Sequence, residues 1–109
     1  MAGRKLFTNQ SAYALAVTLQ IRRSDNPNNL AGTKQFTLAP SESQWQDYGN
    51  DSDIYLNGFK LVASQNGALI GQQDIVVVRG SPLDNQLNMF NAVDFIGENL
   101  GYSISTRQV

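Results

Sequence analysis

Residues 54–78 read IYLNGFKLVASQNGALIGQQDIVVV and contain the strongest structural signal in the chain, the two pairs Asn57-Gly58 and Asn66-Gly67. Asn-Gly is the dipeptide that most readily supplies two successive residues with positive φ, which a type I′ hairpin turn requires. If both pairs form turns, residues 54–78 fold into a three-stranded antiparallel meander. The resulting register places one apolar set on a single face: Ile54, Leu56, Phe59, Leu61, Ala63 and Ile70.

The alternation of apolar residues breaks after Ile70. Strict alternation would next turn Gln72 and Asp74 inward, and burying polar groups without partners is unfavourable. One extra residue restores the pattern and returns Ile75 to the core face. The sequence therefore predicts a β-bulge at residues 71–73.

The first Asn-Gly pair has a second interpretation. Asn57-Gly58 can itself be a bulge within one longer strand, because a bulge also keeps Leu56 and Phe59 on one face. Both interpretations of Asn57-Gly58 stay open at the level of sequence. For Asn66-Gly67 the hairpin turn is the preferred interpretation.

Strand character recurs along the rest of the chain. Residues 13–23 alternate apolar and polar side chains, which predicts a strand with Leu15, Val17 and Leu19 turned to the core. Ala14 and Ala16 on the opposite face suggest that this face is also partly covered. Shorter segments have the same character: 5–8 as an edge strand, 34–38, 44–48, and a final hairpin of 92–96 with 102–106.

Loop and helix signals separate these segments. Residues 24–33, SDNPNNLAGT, carry Asn, Pro and Gly and predict a loop. Leu83, Leu87 and Phe90 have the spacing of a short helix. About seven or eight short strands with turn signals between them predict an all-β fold, a single-domain antiparallel β-sandwich over residues 1–109.

Composition restricts the function. The chain has 109 residues, a formal net charge of −1, no cysteine and no histidine. The lack of cysteine excludes disulfides and thiolate metal sites, and the lack of histidine removes the commonest general base. No serine, lysine or carboxylate lies in a recognisable catalytic motif, so we expect no enzyme activity. The nearly neutral charge argues against nucleic-acid binding.

The candidate binding site lies around the polar loop at residues 49–53. Trp45, Tyr48 and Tyr55 flank this loop, and alternation predicts that both tyrosines point away from the core. Exposed aromatic rings beside amides and carboxylates can stack on sugar rings and bind their hydroxyl groups. The alternative is that these aromatic residues pack in the core. The predicted ligand-binding set is Trp45, Tyr48, Asn50, Asp51, Asp53 and Tyr55.

The same loop suggests a calcium site. Asp47, Asp51 and Asp53 supply the hard oxygen ligands that Ca²⁺ prefers. Their spacing differs from the EF-hand pattern, and Asp and Asn are also ordinary turn residues. Ca²⁺ is the one cofactor that the sequence suggests.

Residues 75–78, IVVV, are apolar on both faces of a strand. Such a strand is either central in a sandwich or part of a subunit interface. With Ala14 and Ala16, this run favours a homo-oligomer. The first functional hypothesis is a non-enzymatic, lectin-like module for a carbohydrate or cell-surface ligand. The alternatives are a self-assembling structural subunit and a small toxin or effector that engages a membrane.

The sequence carries no targeting signal that we recognise. Residues 1–10 have no apolar core of the kind that signal peptides contain, and no run reaches the length of a membrane-spanning helix. We therefore expect a soluble protein, either cytoplasmic or secreted by a signal-independent route.

Overall fold

The computed structural model describes residues 3–23, 26–49, 55–65, 68–78, 80–98 and 101–109. Within these ranges it contains eight strands and one helix, in the order β1 (Gly3–Gln10), β2 (Ala14–Arg23), β3 (Asn26–Leu38), β4 (Ser43–Tyr48), β5 (Leu56–Gln65), β6 (Ala68–Val76), α1 (Pro82–Met89), β7 (Ala92–Glu98) and β8 (Gly101–Arg107).

The strands form two four-stranded sheets that pack face to face. One sheet has the order β4-β1-β7-β8 and the other has the order β3-β2-β5-β6. Adjacent strands are antiparallel except β1 and β7, which pair in parallel. The predicted all-β sandwich is confirmed. The predicted edge strand at residues 5–8 is wrong in position, because β1 lies between β4 and β7.

The core lies between the two sheets. Alternation along β2 buries Leu15, Val17 and Leu19, as predicted. Across the sandwich, the rings of Phe59 and Phe95 meet edge to face with their centroids 5.7 Å apart. Aromatic contacts of this geometry add to the free energy gained by burying apolar area.

The region around Asn57-Gly58 is one continuous strand. Gln20 pairs with Gly58 and Ile21 pairs with Leu56, so Asn57 is the extra residue of a bulge in β5. The predicted turn at Asn57-Gly58 is therefore wrong, and the bulge interpretation is confirmed. Gly58 is required because a Cβ there would lie 2.7 Å from the carbonyl oxygen of Ile75. Ile54, the first residue of the predicted meander, lies outside the described residues.

A second bulge lies at the start of β6. Ala63 pairs with Gly71 and Ser64 pairs with Leu69, which leaves Ile70 as the extra residue. The predicted bulge exists, but it lies one residue before the predicted range 71–73. As a result Ile70 is exposed, and its predicted place in the core is wrong.

The hairpin between β5 and β6 is antiparallel. Its last described pair is Gln65 with Ala68, so two residues connect the strands. The predicted turn at Asn66-Gly67 itself lies outside the described residues.

The predicted loop at residues 24–33 and the predicted short helix have different outcomes. The predicted loop at residues 24–33 is wrong from Asn26 onward, because β3 begins there and continues through Gly32, which has a φ of 134°. Pairing with the long strand β2 outweighs the turn-forming composition, since strand propensity depends strongly on tertiary context. The predicted helix is confirmed as α1, where Leu87 is buried.

Candidate functional site

Trp45 is an exposed aromatic residue on β4. It pairs with Leu6 of β1, and 44% of its surface is exposed. The guanidinium carbon of Arg4 lies 4.9 Å from the centroid of its ring, and Arg4 Nε lies 3.7 Å from Asp47 Oδ1. Arg4, Trp45 and Asp47 therefore form a cation–π and ion-pair cluster on the solvent face of β4. We call these three residues the Trp45 cluster.

Tyr48 lies on the opposite face of the same strand. It is only 4% exposed and belongs to the hydrophobic core. Burial raises the pKa of the Tyr48 hydroxyl group. The expectation that Tyr48 points to solvent is wrong, because β4 packs the face that carries Tyr48 against the core and turns the face that carries Trp45 to solvent. The structure thus separates Tyr48 from Trp45.

The other predicted binding residues are divided between described and undescribed parts of the chain. Tyr55 is half-buried, and its carbonyl oxygen accepts a hydrogen bond of 2.9 Å from the Arg22 backbone N–H. Asn50, Asp51 and Asp53 lie outside the described residues. Their role in ligand binding stays a prediction.

The suggested calcium site has one described member. Asp47 is exposed and lies beside Arg4, while Asp51 and Asp53 lie outside the described residues. Among the residues that the structure does describe, no three carboxylate, histidine or cysteine side chains form a group that could hold a metal ion. Calcium binding stays a prediction.

A buried polar cluster lies where β2, β5 and α1 meet. Arg22 is fully buried, and its Nη1 donates to Asp84 Oδ1 at 3.1 Å. Its Nε donates to Asn57 Oδ1 at 3.1 Å and its Nη2 donates to the Val77 carbonyl oxygen at 2.9 Å. Asp84 Oδ2 accepts from the Gly80 backbone N–H at 2.9 Å. Because both charged groups are extensively hydrogen-bonded, this cluster is structural.

Simple alternation misses this cluster, since it places Arg22 on the solvent face. Two consecutive residues of β2, Ile21 and Arg22, are instead both buried. The reason is the bulge at Asn57 in β5 together with register shifts against β3 around the same residues. The Asn57-Gly58 pair was the available signal, because a bulge shifts the alternation of a strand and of its partner.

A second buried cation joins β1 to the end of α1. Lys5 is buried, and its Nζ donates to the carbonyl oxygens of Leu87 at 2.5 Å and Phe90 at 2.6 Å. These carbonyls lie at the negative end of the helix dipole, which favours a cation there. Burial lowers the pKa of Lys5 from 10.5 to about 8.

A third buried polar residue, Asn9, lies near the end of β1. This residue is fully buried, and its Nδ2 donates to the carbonyl oxygens of Tyr13 at 2.7 Å and Leu38 at 3.2 Å. Its Oδ1 accepts from Ser11 Oγ at 2.7 Å. Asn9 therefore joins the end of β1 to the end of β3 and is structural as well.

Exposed apolar side chains are concentrated along β6 and the residues that follow it. This strand is at the edge of its sheet, so of the two interpretations of residues 75–78 the central strand is wrong, and the subunit interface stays a prediction. Val77 is buried, but other apolar side chains point to solvent. We call the exposed set the β6 surface: Leu69 (66% exposed), Ile70 (48%), Val76 (72%) and Val78 (62%).

Two other edge strands have backbone groups that glutamine side chains satisfy. Tyr102 of β8 is bonded by the side chain of Gln73 from β6. Gln73 Nε2 donates to the Tyr102 carbonyl oxygen at 3.0 Å, and Gln73 Oε1 accepts from the Tyr102 N–H at 2.7 Å. On β3, the Thr37 carbonyl oxygen accepts from Gln44 Nε2 at 2.9 Å. Unpaired edge strands otherwise offer their backbone to other chains. No described side chain bonds in this way to the open edge of β6.

Comparisons with protein families, with curated proteins and with solved structures give no significant match. Within the described part of the chain, no helix is both long and apolar enough to span a bilayer.

Proposed function

We propose that this protein is a non-enzymatic binding module that assembles with copies of itself through the β6 surface. The observation that carries the proposal is the exposure of Leu69, Ile70 and Val76 on an edge strand and of Val78 just after it. We rank the self-assembling subunit above the lectin-like module. The predicted sugar-binding site needs Trp45 and Tyr48 on one exposed surface, and Tyr48 is buried.

Two physical terms favour association at this edge. Burying exposed apolar side chains releases about 25 cal/mol for each Å² removed from water. Strand pairing also satisfies backbone N–H and C=O groups that an edge leaves open. Large apolar side chains on such an edge are a cost unless a partner covers them.

The test is the molar mass over a wide protein concentration range, measured by light scattering after size exclusion. We expect the mass to rise above that of one chain, and we expect the variant with both Leu69→Lys and Val76→Lys to stay monomeric. Gln35→Lys, at an exposed position of the edge strand β3, is the matched control. A monomer at every concentration would refute self-assembly.

A second candidate function is carbohydrate or cell-surface binding at the Trp45 cluster. The specific observation is an exposed tryptophan ring with the guanidinium of Arg4 over it, and the carboxylate of Asp47 lies 3.7 Å from Arg4 Nε. An aromatic face can pack against a sugar ring while charged groups bind its hydroxyls. This version of the site needs neither Tyr48 nor a bound metal.

A glycan array tests the second candidate. We expect Trp45→Ala to abolish any binding that the unmodified protein gives, while Met89→Ala, which removes an exposed apolar side chain on α1, leaves it unchanged. The absence of hits with the unmodified protein, or hits that survive Trp45→Ala, would argue against this site.

A further inference from the structure

We propose that β6 pairs antiparallel with β6 of a second copy about a two-fold axis at Gln73, so that two four-stranded sheets join into one continuous sheet. This inference rests on the self-assembly proposed above and specifies its geometry. A two-fold interface uses the same surface of both copies, so the assembly closes as a dimer.

The backbone of β6 has the correct orientation for this pairing. The Val77 N–H donates to the Asn57 carbonyl oxygen at 3.0 Å, on the side of β5. Backbone groups alternate in direction along an antiparallel strand, so those of Ile75 also face β5. Those of Gln72, Asp74 and Val76 then face the open edge, where a second strand would pair.

Side chains select the position of the axis. The solvent face of β6 is formed by Val76, Asp74 and Gln72. These residues pair with Gly58, Lys60 and Val62 of β5, in that order. With the axis at Gln73, each Gln72 lies opposite the partner's Asp74. Each Val76 then lies opposite the partner's Ile70, the exposed residue of the bulge.

Neighbouring registers are less favourable. An axis at Asp74 places two carboxylates directly opposite each other, and like charges across a strand pair are destabilising. An axis at Gln72 places each Asp74 opposite the partner's Ile70 and so desolvates a carboxylate against an apolar side chain. The charge and the apolar residues of β6 therefore favour one register.

Closure follows from the two-fold interface and from two of the three other edge strands, β3 and β8; the third is β4. Joining the two copies through β6 leaves β3 at both outer edges of the combined sheet, where Gln44 already bonds the Thr37 carbonyl oxygen. The edge strand β8 of the second sheet is similarly bonded by Gln73. We therefore expect assembly to stop at two copies.

A matched pair of charge variants tests the register. Gln72→Lys places an ammonium group opposite the partner's Asp74 twice in each dimer, and we expect the dimer dissociation constant to fall about fivefold at low salt. Gln72→Glu places like charges opposite each other, and we expect the constant to rise by a similar factor. Gln35→Lys and Gln35→Glu make the same changes of charge on β3 and should leave the dimer dissociation constant unchanged. Equal effects of both charges at residue 72 would refute this register.

A distance measurement tests the geometry directly. Because the chain has no cysteine, Gln65→Cys introduces one labelling site, at an exposed residue that pairs with Ala68. In the proposed dimer, the two labelled positions are separated by three strand spacings across the joined sheet and by about eight residues along the strand direction. The two spin labels should therefore lie roughly 30 Å apart. Moving the axis by one residue changes this distance by about 6 Å.

The outcomes separate the two proposals. A monomer at all concentrations refutes self-assembly and the dimer together. A mass that grows beyond two copies supports self-assembly and refutes the closed dimer. A dimer with a label distance far from 30 Å supports self-assembly and refutes pairing about Gln73.

Discussion

At the scale of single residues, the position on a strand decides what a side chain can do. Trp45 and Tyr48 are close in sequence, and both belong to β4. One is exposed and the other is buried in the core. Only Trp45 is therefore available to a ligand, and Tyr48 contributes to stability.

The two aromatic residues should respond differently to truncation. We expect Tyr48→Ala to lower the free energy of unfolding by about 3–5 kcal/mol, because a large buried side chain leaves a cavity. Trp45→Ala should lower it by about 1 kcal/mol or less, since an exposed side chain loses little burial. Urea denaturation measures both, with Tyr48→Phe as the control that keeps the ring. Equal losses for the two alanine variants would contradict the burial of Tyr48.

The buried lysine predicts a pH dependence of stability. The pKa of Lys5 is lowered from 10.5 to about 8 in the folded protein, so between these pH values the unfolded chain binds more protons. The contribution of Lys5 to the free energy of unfolding therefore rises with pH across this window. We expect the difference between the unmodified protein and Lys5→Met to increase by about 2 kcal/mol from pH 8 to 10.

Denaturant titrations at several pH values measure this difference. Lys60→Met is the control, because Lys60 is exposed on β5. A flat or falling difference for Lys5→Met would show that Lys5 keeps its ordinary pKa.

At the scale of elements, two bulges and one short helix shape the sandwich. The bulge at Asn57 directs its side chain to Arg22, and Arg22 in turn binds Asp84 of α1. The helix starts with Ser81, whose Oγ accepts from the Asp84 N–H at 3.2 Å. An eight-residue helix is marginal by itself, so these tertiary contacts hold it against the strands.

Two glycines on neighbouring strands provide a matched test of the close approach at the first bulge. Gly58→Ala places a Cβ 2.7 Å from the Ile75 carbonyl oxygen, whereas a Cβ at Gly71 meets nothing within 4 Å. We expect Gly58→Ala to cost about 1–3 kcal/mol through overpacking. Gly71→Ala should be neutral or slightly stabilising, because it restricts the unfolded chain. Thermal unfolding compares them, and a neutral Gly58→Ala would contradict the close packing of β5 on β6.

The ion pair between Arg22 of β2 and Asp84 of α1 predicts that substitutions at the two residues have non-additive effects on the free energy of unfolding. Arg22→Met and Asp84→Leu each leave a buried charge without its partner, and we expect each to cost about 3–5 kcal/mol. The double variant should cost less than the sum, because it removes both charges. A double-mutant cycle in denaturant measures the coupling. Additive losses would show that the two charges do not depend on each other.

At the scale of the whole molecule, the treatment of sheet edges is uneven. Backbone groups of β3 and β8 bind glutamine side chains, while β6 exposes apolar side chains beside its open edge. The proposed self-assembly uses this asymmetry and places the contact at the β6 surface. A partner at this surface would protect backbone amides that the single copy leaves open.

Hydrogen exchange tests this expectation. We expect amides of Gln72, Asp74 and Val76 to exchange more slowly as protein concentration rises, because pairing at the edge protects them. Amides of Thr33 and Gln35 on β3 should not change. A protection pattern that is independent of concentration would show that β6 stays open.

The amino-acid sequence by itself determined the all-β class, most strands and the inward face of β2, because period-two alternation reports directly which side chains a strand buries. It also indicated the short helix and a bulge near Gly71. It left Asn57-Gly58 undecided between a turn and a bulge, since both keep Leu56 and Phe59 on one face.

Only the tertiary structure decided that choice, through the pairing of β5 with β2. The same pairing buried Arg22 beside Asp84 and left β6 at an edge, where apolar residues are exposed instead of central. The position of β1 between β4 and β7, and the burial of Tyr48, depend on contacts between residues far apart in the chain. Local patterns do not determine these contacts, because the order of strands in a sheet is set by pairing between segments that are far apart in the chain.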